Sequence, residues 1–172
     1  MQNAKDTFYL AMQARLATLN PARTIVVRGL ARPGTLVEEN ELPSAWVPTD
    51  AFRLHWTGLR VDSVAPLALV ALQCEIRYAT DGSSGNGGMD RGRLLAAMDA
   101  ELAQALGTEP RSVPKRNYAS RQSATAMGTN VFWADPVFGA AATVGERLER
   151  TVTVEVFAYQ EAGELRRQRF RQ

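Results

Sequence analysis

One imidazole and one thiol limit the reactive chemistry open to this chain: His55 is its single histidine and Cys74 its single cysteine. A Ser-His-Asp or Cys-His arrangement would have to use His55. That residue sits in a run where Phe52, Leu54 and Trp56 alternate with Arg53, His55 and Thr57. On a strand it therefore faces away from the apolar set, and it reads as a strand-surface residue. Cys74 shares the inward phase of a second alternating run with Ile76 and Tyr78, so it reads as a small core residue rather than a nucleophile. A lone cysteine also rules out an intrachain disulfide and points to a cytosolic folding environment. One histidine and one cysteine cannot build a tetrahedral zinc site within one chain. Glu38, Glu39 and Glu41 lack the alternating carbonyl and glycine pattern of a calcium loop. No catalytic residue, metal or cofactor is expected.

A glycine-rich connection, Gly82 to Gly88, stands between a strand and a helix, which is the order a phosphate cradle requires. The details do not fit one. No Lys-Ser/Thr follows, the spacing is not G-x-G-x-x-G, and Asp90 at the helix start would repel an anion. The segment 81–89 is expected to be a flexible connection.

Charge supplies the remaining candidates. The net charge is only +2, so its distribution matters more than its sum. Arg111, Lys115, Arg116 and Arg121 fall in the polar segment 108–130, which reads as a long irregular loop. Arg166, Arg167, Arg169 and Arg171 crowd the tail, with Tyr118 and Phe170 as stacking groups beside the two basic sets. Such sets suit nucleic acid or an acidic protein face; the plainer alternative is a solvated surface. Glu38, Glu39 and Glu41 offer an acidic counterpart. An acidic patch on one copy meeting a basic patch on the next would give head-to-tail assembly, which closes into a ring when the rotation permits.

The elements that must position these residues follow from periodicity. Phe8, Met12, Leu16 and Leu19 recur at helical spacing over Thr7 to Leu19, and Asn20-Pro21 stops the helix. Arg15 beside them is expected to face water. Thr24 to Leu30 reads as a strand, Arg32-Pro33-Gly34 as a turn and Thr35 to Val37 as a short strand. Phe52 to Leu59 alternates as a strand, and Leu67 to Ala79 reads as a strand that is fully apolar at its start and alternates afterwards. Asp90 is placed to cap a helix over Arg91 to Leu106, with Leu94, Leu95, Met98, Leu102 and Leu106 as its stripe and Gly107 past its end. Val131 to Phe138, bent at Pro136, and Thr151 to Tyr159 complete the strands. This order predicts a single α+β domain over residues 1–172: a mixed, mainly antiparallel sheet with two helices packed on it. With 45% apolar and 22% charged residues, the composition is ordinarily globular. The polar N-terminus is not expected to act as a secretory leader, and no apolar run approaches the roughly 20 residues that span a bilayer. A pocket between helix and sheet, lined by Trp56, Tyr78 and Trp133, is the form a small-molecule-binding alternative would take.

The helix segment Thr7-Phe8-Tyr9-Leu10-Ala11-Met12-Gln13-Ala14-Arg15-Leu16, the strand Leu72-Gln73-Cys74-Glu75-Ile76-Arg77-Tyr78, the helix Asp90-Arg91-Gly92-Arg93-Leu94-Leu95-Ala96-Ala97-Met98-Asp99 and the strand Thr151-Val152-Thr153-Val154-Glu155-Val156-Phe157 together resemble the tail-terminator (tail-completion) proteins of tailed bacteriophages and prophages. The likeness covers most of the chain and lies in the order and texture of elements rather than in one motif. This chain is longer than that class, mainly in the segment 108–130. The resemblance implies a non-enzymatic ring, commonly hexameric, that caps the tail tube and joins it to the head. It implies homo-oligomerisation, tail-tube and neck proteins as partners, assembly in the bacterial cytoplasm, no membrane and no cofactor. Nucleic-acid binding through the basic loop and tail is the rival reading. The candidate interface residues are Arg111, Lys115, Arg116, Arg121, Arg166, Arg167, Arg169, Arg171, Glu38, Glu39 and Glu41.

Overall fold

The computed structural model describes residues 1–41, 47–63, 66–82, 84–119, 124–162 and 164. It is an α+β fold in which a mixed, mostly antiparallel sheet curls into a half-barrel. In chain order the elements are α1 (Gln2–Leu19), β1 (Thr24–Val27), β2 (Leu30–Pro33), β3 (Thr35–Val37), a 3-10 turn (Glu38–Asn40), β4 (Phe52–Asp62), β5 (Leu69–Thr80), a helical turn α2 (Gly85–Gly88), α3 (Asp90–Gly107), β6 (Ser112–Asn117), β7 (Thr125–Trp133), β8 (Val137–Phe138), β9 (Ala142–Val144) and β10 (Arg147–Tyr159).

The sheet runs β3-β4-β5-β10-β7-β6. Among the described strands only β3 is parallel to its neighbour, pairing Thr35, Leu36 and Val37 with Phe52, Arg53 and Leu54. β10 pairs with β5 from Leu148↔Thr80 to Tyr159↔Leu69. Its opposite edge is shared in turn by β9, β8 and β7. The alternation of Val152, Val154, Val156 and Ala158 dictates this centre, because every second residue must be covered. Those four are buried, as are Val70, Leu72, Cys74, Ile76 and Tyr78 on β5. The two long helices cover the same face: Phe8, Met12 and Leu16 from α1, and Leu95, Met98, Leu102 and Leu106 from α3. Burial of this apolar surface is the main stabilising term.

Several sequence expectations are corrected by the structure. The long loop expected over 108–130 contains two paired strands, with Ser112↔Phe132 and Asn117↔Thr125 near the ends of the β6–β7 pairing. Pro114 is unsuited to a central strand, but β6 is an edge strand, where a missing N–H is tolerated. β7 itself ends at Trp133, and β8 begins only at Val137, so the strand expected over Val131 to Phe138 is broken at Ala134 to Pro136. Thr24 to Leu30 is not one strand but the start of a hairpin, turning at Arg28-Gly29 with φ of 51° and 80°. Two successive positive φ values are the geometry of a type I′ turn. α1 begins five residues earlier than expected, burying Ala4, while Leu19 and Leu94 lie exposed. Asp90 is the first residue of α3, with Met89 in the capping position, and Gly107 is its last residue. Within the connection 81–89, Asn86 and Gly87 are left-handed.

Arg15 does not face water freely. Its guanidinium lies 5.0 Å from the Trp133 ring centroid and donates to the carbonyls of Ala105, Thr108 and Pro110 at 3.0, 2.9 and 2.6 Å. It therefore caps the carboxyl end of α3 from another helix. Burial lowers its pKa, and Glu109 opposes the shift.

Candidate functional site

The acidic segment is built into the molecule rather than held out from it. The 3-10 turn follows β3, so its carboxylates reach over the start of β4. Glu38 accepts from Arg53 at 2.8 Å and Arg77 at 3.5 Å and lies 3.2 Å from the His55 Nδ1. Glu39 accepts the backbone N–H of Trp56 at 3.0 Å. Glu41 accepts from Arg32 at 2.8 Å. The three candidate acidic contacts are thus engaged within the chain, although Glu39 keeps 43% of its side chain exposed. A pocket of about 250 Å³ opens beside them, with Leu36, Val47 and Pro48 on its apolar side and Glu38, Arg53 and Arg77 among its charged residues. Desolvation lowers the Arg53 pKa, with Glu38 opposing it. Its Nε is buried without a hydrogen-bond partner among the described residues.

His55 meets carboxylates but no nucleophile. It pairs in register with Glu75, whereas Cys74 pairs with Trp56, so imidazole and thiol lie on opposite faces of the sheet. Cys74 is fully buried, and desolvation pushes its thiol far above the usual range. A thiol held neutral is a poor nucleophile. The space between Trp56, Tyr78 and Trp133 is filled. Phe8 packs edge-on against both tryptophans, at 5.8 and 5.5 Å between centroids, and Phe52 packs against Tyr78 at 5.1 Å.

Of the basic candidates, Arg111, Lys115 and Arg116 are described, and each is engaged within the chain. Lys115 is only 1% exposed; its ammonium lies 2.9 Å from Glu164 and 3.2 Å from Glu161 and donates to the Tyr159 carbonyl. It is a structural cation, not a surface contact. The available signal was its period-two phase with Val113 on a strand. Arg111 is bound to Asp135. Arg116 is exposed and donates to the Ala124 carbonyl at 3.3 Å. Arg121, Arg166, Arg167, Arg169 and Arg171 lie outside the described residues.

Sequence reasoning missed the sheet's unfinished edge. β3 covers β4 only as far as Leu54, and the Glu39 carboxylate covers the Trp56 N–H. Beyond these, no described strand pairs with that edge. A bulge between Trp56 and Gly58 shifts the phase, which brings Leu59 and Val61 onto the core-facing side. They are nevertheless 53% and 46% exposed. Uncovered apolar residues on a free strand edge mark a contact surface or an aggregation hazard.

No protein-family model and no curated protein matches the chain. Among the described residues, no group of three or more His, Cys, Asp or Glu is placed to hold a metal ion, and no helix is long and apolar enough to cross a membrane.

Proposed function

We propose that the chain is an assembly subunit of the tail-terminator type, forming a ring that caps a phage or prophage tail tube and presents a surface to the neck and head. The free edge of β4, with Leu59 and Val61 uncovered, carries this reading. A sheet edge that carries exposed apolar residues and that no described strand pairs beyond Leu54 is suited to completion by another chain. The internal neutralisation of Glu38, Glu41, Arg111 and Lys115 adds support. With those charges engaged, apolar and backbone contacts are left as the stronger basis for association. Sedimentation and electron microscopy test the proposal. The expected result is a discrete ring that binds the ends of tail tubes. A strict monomer at high concentration that neither rings nor caps tubes would overturn it.

A further inference from the structure

The β1–β2 hairpin lies outside the main sheet. It is four residue pairs long, from Thr24↔Pro33 to Val27↔Leu30. Val26 and Leu30 are 65% and 72% exposed. A two-stranded hairpin is marginal in water unless something packs on it. Because the turn has two residues, Val27 and Leu30 form the closing hydrogen-bonded pair, so the backbone N–H and C=O of Val26 point outward, away from β2. On the other side of the hairpin Pro33 has no N–H to offer. Ala31 points outward in the same way on β2, beside Pro33, whereas β1 presents the exposed Val26; the Thr24 N–H is already donated to the Ala22 carbonyl at 3.0 Å, so β1 would extend a sheet through Val26.

At the receiving side, two apolar rows cross the main sheet and stop uncovered. One runs Trp133, Val156, Leu72, Leu59; the other runs Val131, Ala158, Val70, Val61. The first three members of each row are buried and the last is exposed. Among the described residues no further strand bearing apolar side chains lies beside this part of β4.

The chain's own hairpin cannot supply it. The hairpin base is held at the start of β4, where Gly34 accepts the Phe52 N–H at 2.8 Å and donates to Arg23 at 2.9 Å. From Phe52 to Val61 the strand advances about 30 Å, at about 3.3 Å per residue, whereas four hairpin residues reach only about 13 Å. Donor and acceptor thus sit at opposite ends of one sheet edge, which is the arrangement of a head-to-tail contact.

Resting on the assembly reading above, we infer that β1 of one copy adds to the free edge of β4 in the next copy, with Val26 packing against Leu59 and Val61. The test uses the full chain. Native mass is measured first, and separate Val26→Cys and Val61→Cys variants are then mixed under mild oxidation, with buried Cys74 left in place. Cross-linked dimers that need both variants are the expected result. Val61→Lys should raise the concentration for half-assembly at least tenfold while leaving the circular dichroism unchanged. Cross-links between two Val61→Cys copies alone would overturn the pairing in favour of edge-to-edge contact. Assembly without mixed cross-links would overturn the pairing but leave the assembly reading standing. A monomer at every concentration overturns both.

Discussion

The Lys115 ammonium lies 2.9 Å from the Glu164 carboxylate, with side-chain exposures of 1% and 5%. The pair joins β6 to the segment after β10. Asn3 of α1 donates to the same carboxylate at 3.3 Å. Three distant parts of the chain therefore meet at one buried charge. Removing Lys115 leaves the Glu164 carboxylate desolvated without its cation, facing neutral donors such as the Asn3 amide and the Glu161 N–H. Lys115→Ala should destabilise the fold by about 3–5 kcal/mol, whereas the apolar double replacement Lys115→Met with Glu164→Leu should cost much less. Urea unfolding of the variants checks this. Equal losses would show that the charges matter less than the packing.

Arg15 links helix to helix in a similar way, by its geometry rather than by an ion pair. Its fork meets three carbonyls around the end of α3 while its plane lies over Trp133. Arg15→Ala should cost about 2–3 kcal/mol, because the buried Ala105 carbonyl loses a donor and the stacking contact is lost. Arg15→Lys retains the charge but not the planar fork, so it should recover less than half of that loss. Thermal melts of the three proteins give the comparison.

Much of this architecture was legible in periodicity, and what was missed has physical reasons. The β10 alternation and the α3 stripe announced the core, because one-sided burial imposes period 2 on strands and about 3.6 on helices. The β1–β2 hairpin was hidden because Arg28 occupies a left-handed position usually given to Asn, Asp or Gly. β6 and β7 were hidden because their outer residues are polar and Pro114 suits an edge. Lys115 was read as a surface cation because its partners are 46 and 49 residues away in sequence. The free β4 edge depends on where β3 stops and on the bulge at Trp56 to Gly58, neither of which leaves a pattern in composition.

Cys74 gives a test that separates a packing residue from a reactive one. Its thiol is fully buried and held neutral by desolvation. The folded protein should therefore react with a thiol reagent at least 100-fold more slowly than an exposed cysteine, with one equivalent becoming reactive in denaturant. A stoichiometric titration with and without guanidinium measures both. Rapid labelling of the native protein would contradict the burial and reopen a nucleophilic role.

Glu101 fixes the sign of the acid response. Desolvation alone would raise its pKa, but hydrogen bonds from Arg23 and Asn20, with the charge of Arg23, outweigh it and hold the carboxyl below the usual range. Arg23 contacts both carboxylate oxygens, at 2.7 and 2.8 Å. The folded state thus binds the Glu101 proton less readily than the unfolded chain does. The resulting stabilisation is fully present above the unfolded value of about 4.3 and is lost as pH falls through the lower folded pKa. Glu161 is lowered in the same direction: the Gly128 N–H, the Thr129 hydroxyl and Lys115 overcome its desolvation. Stability should fall on acidification below about pH 4.3, and Glu101→Gln should flatten that slope while lowering stability at neutral pH. Because Arg23 also anchors the base of the hairpin, the same substitution should loosen β1 and weaken self-association near neutrality. Melting temperature against pH, measured beside native mass, separates the two effects.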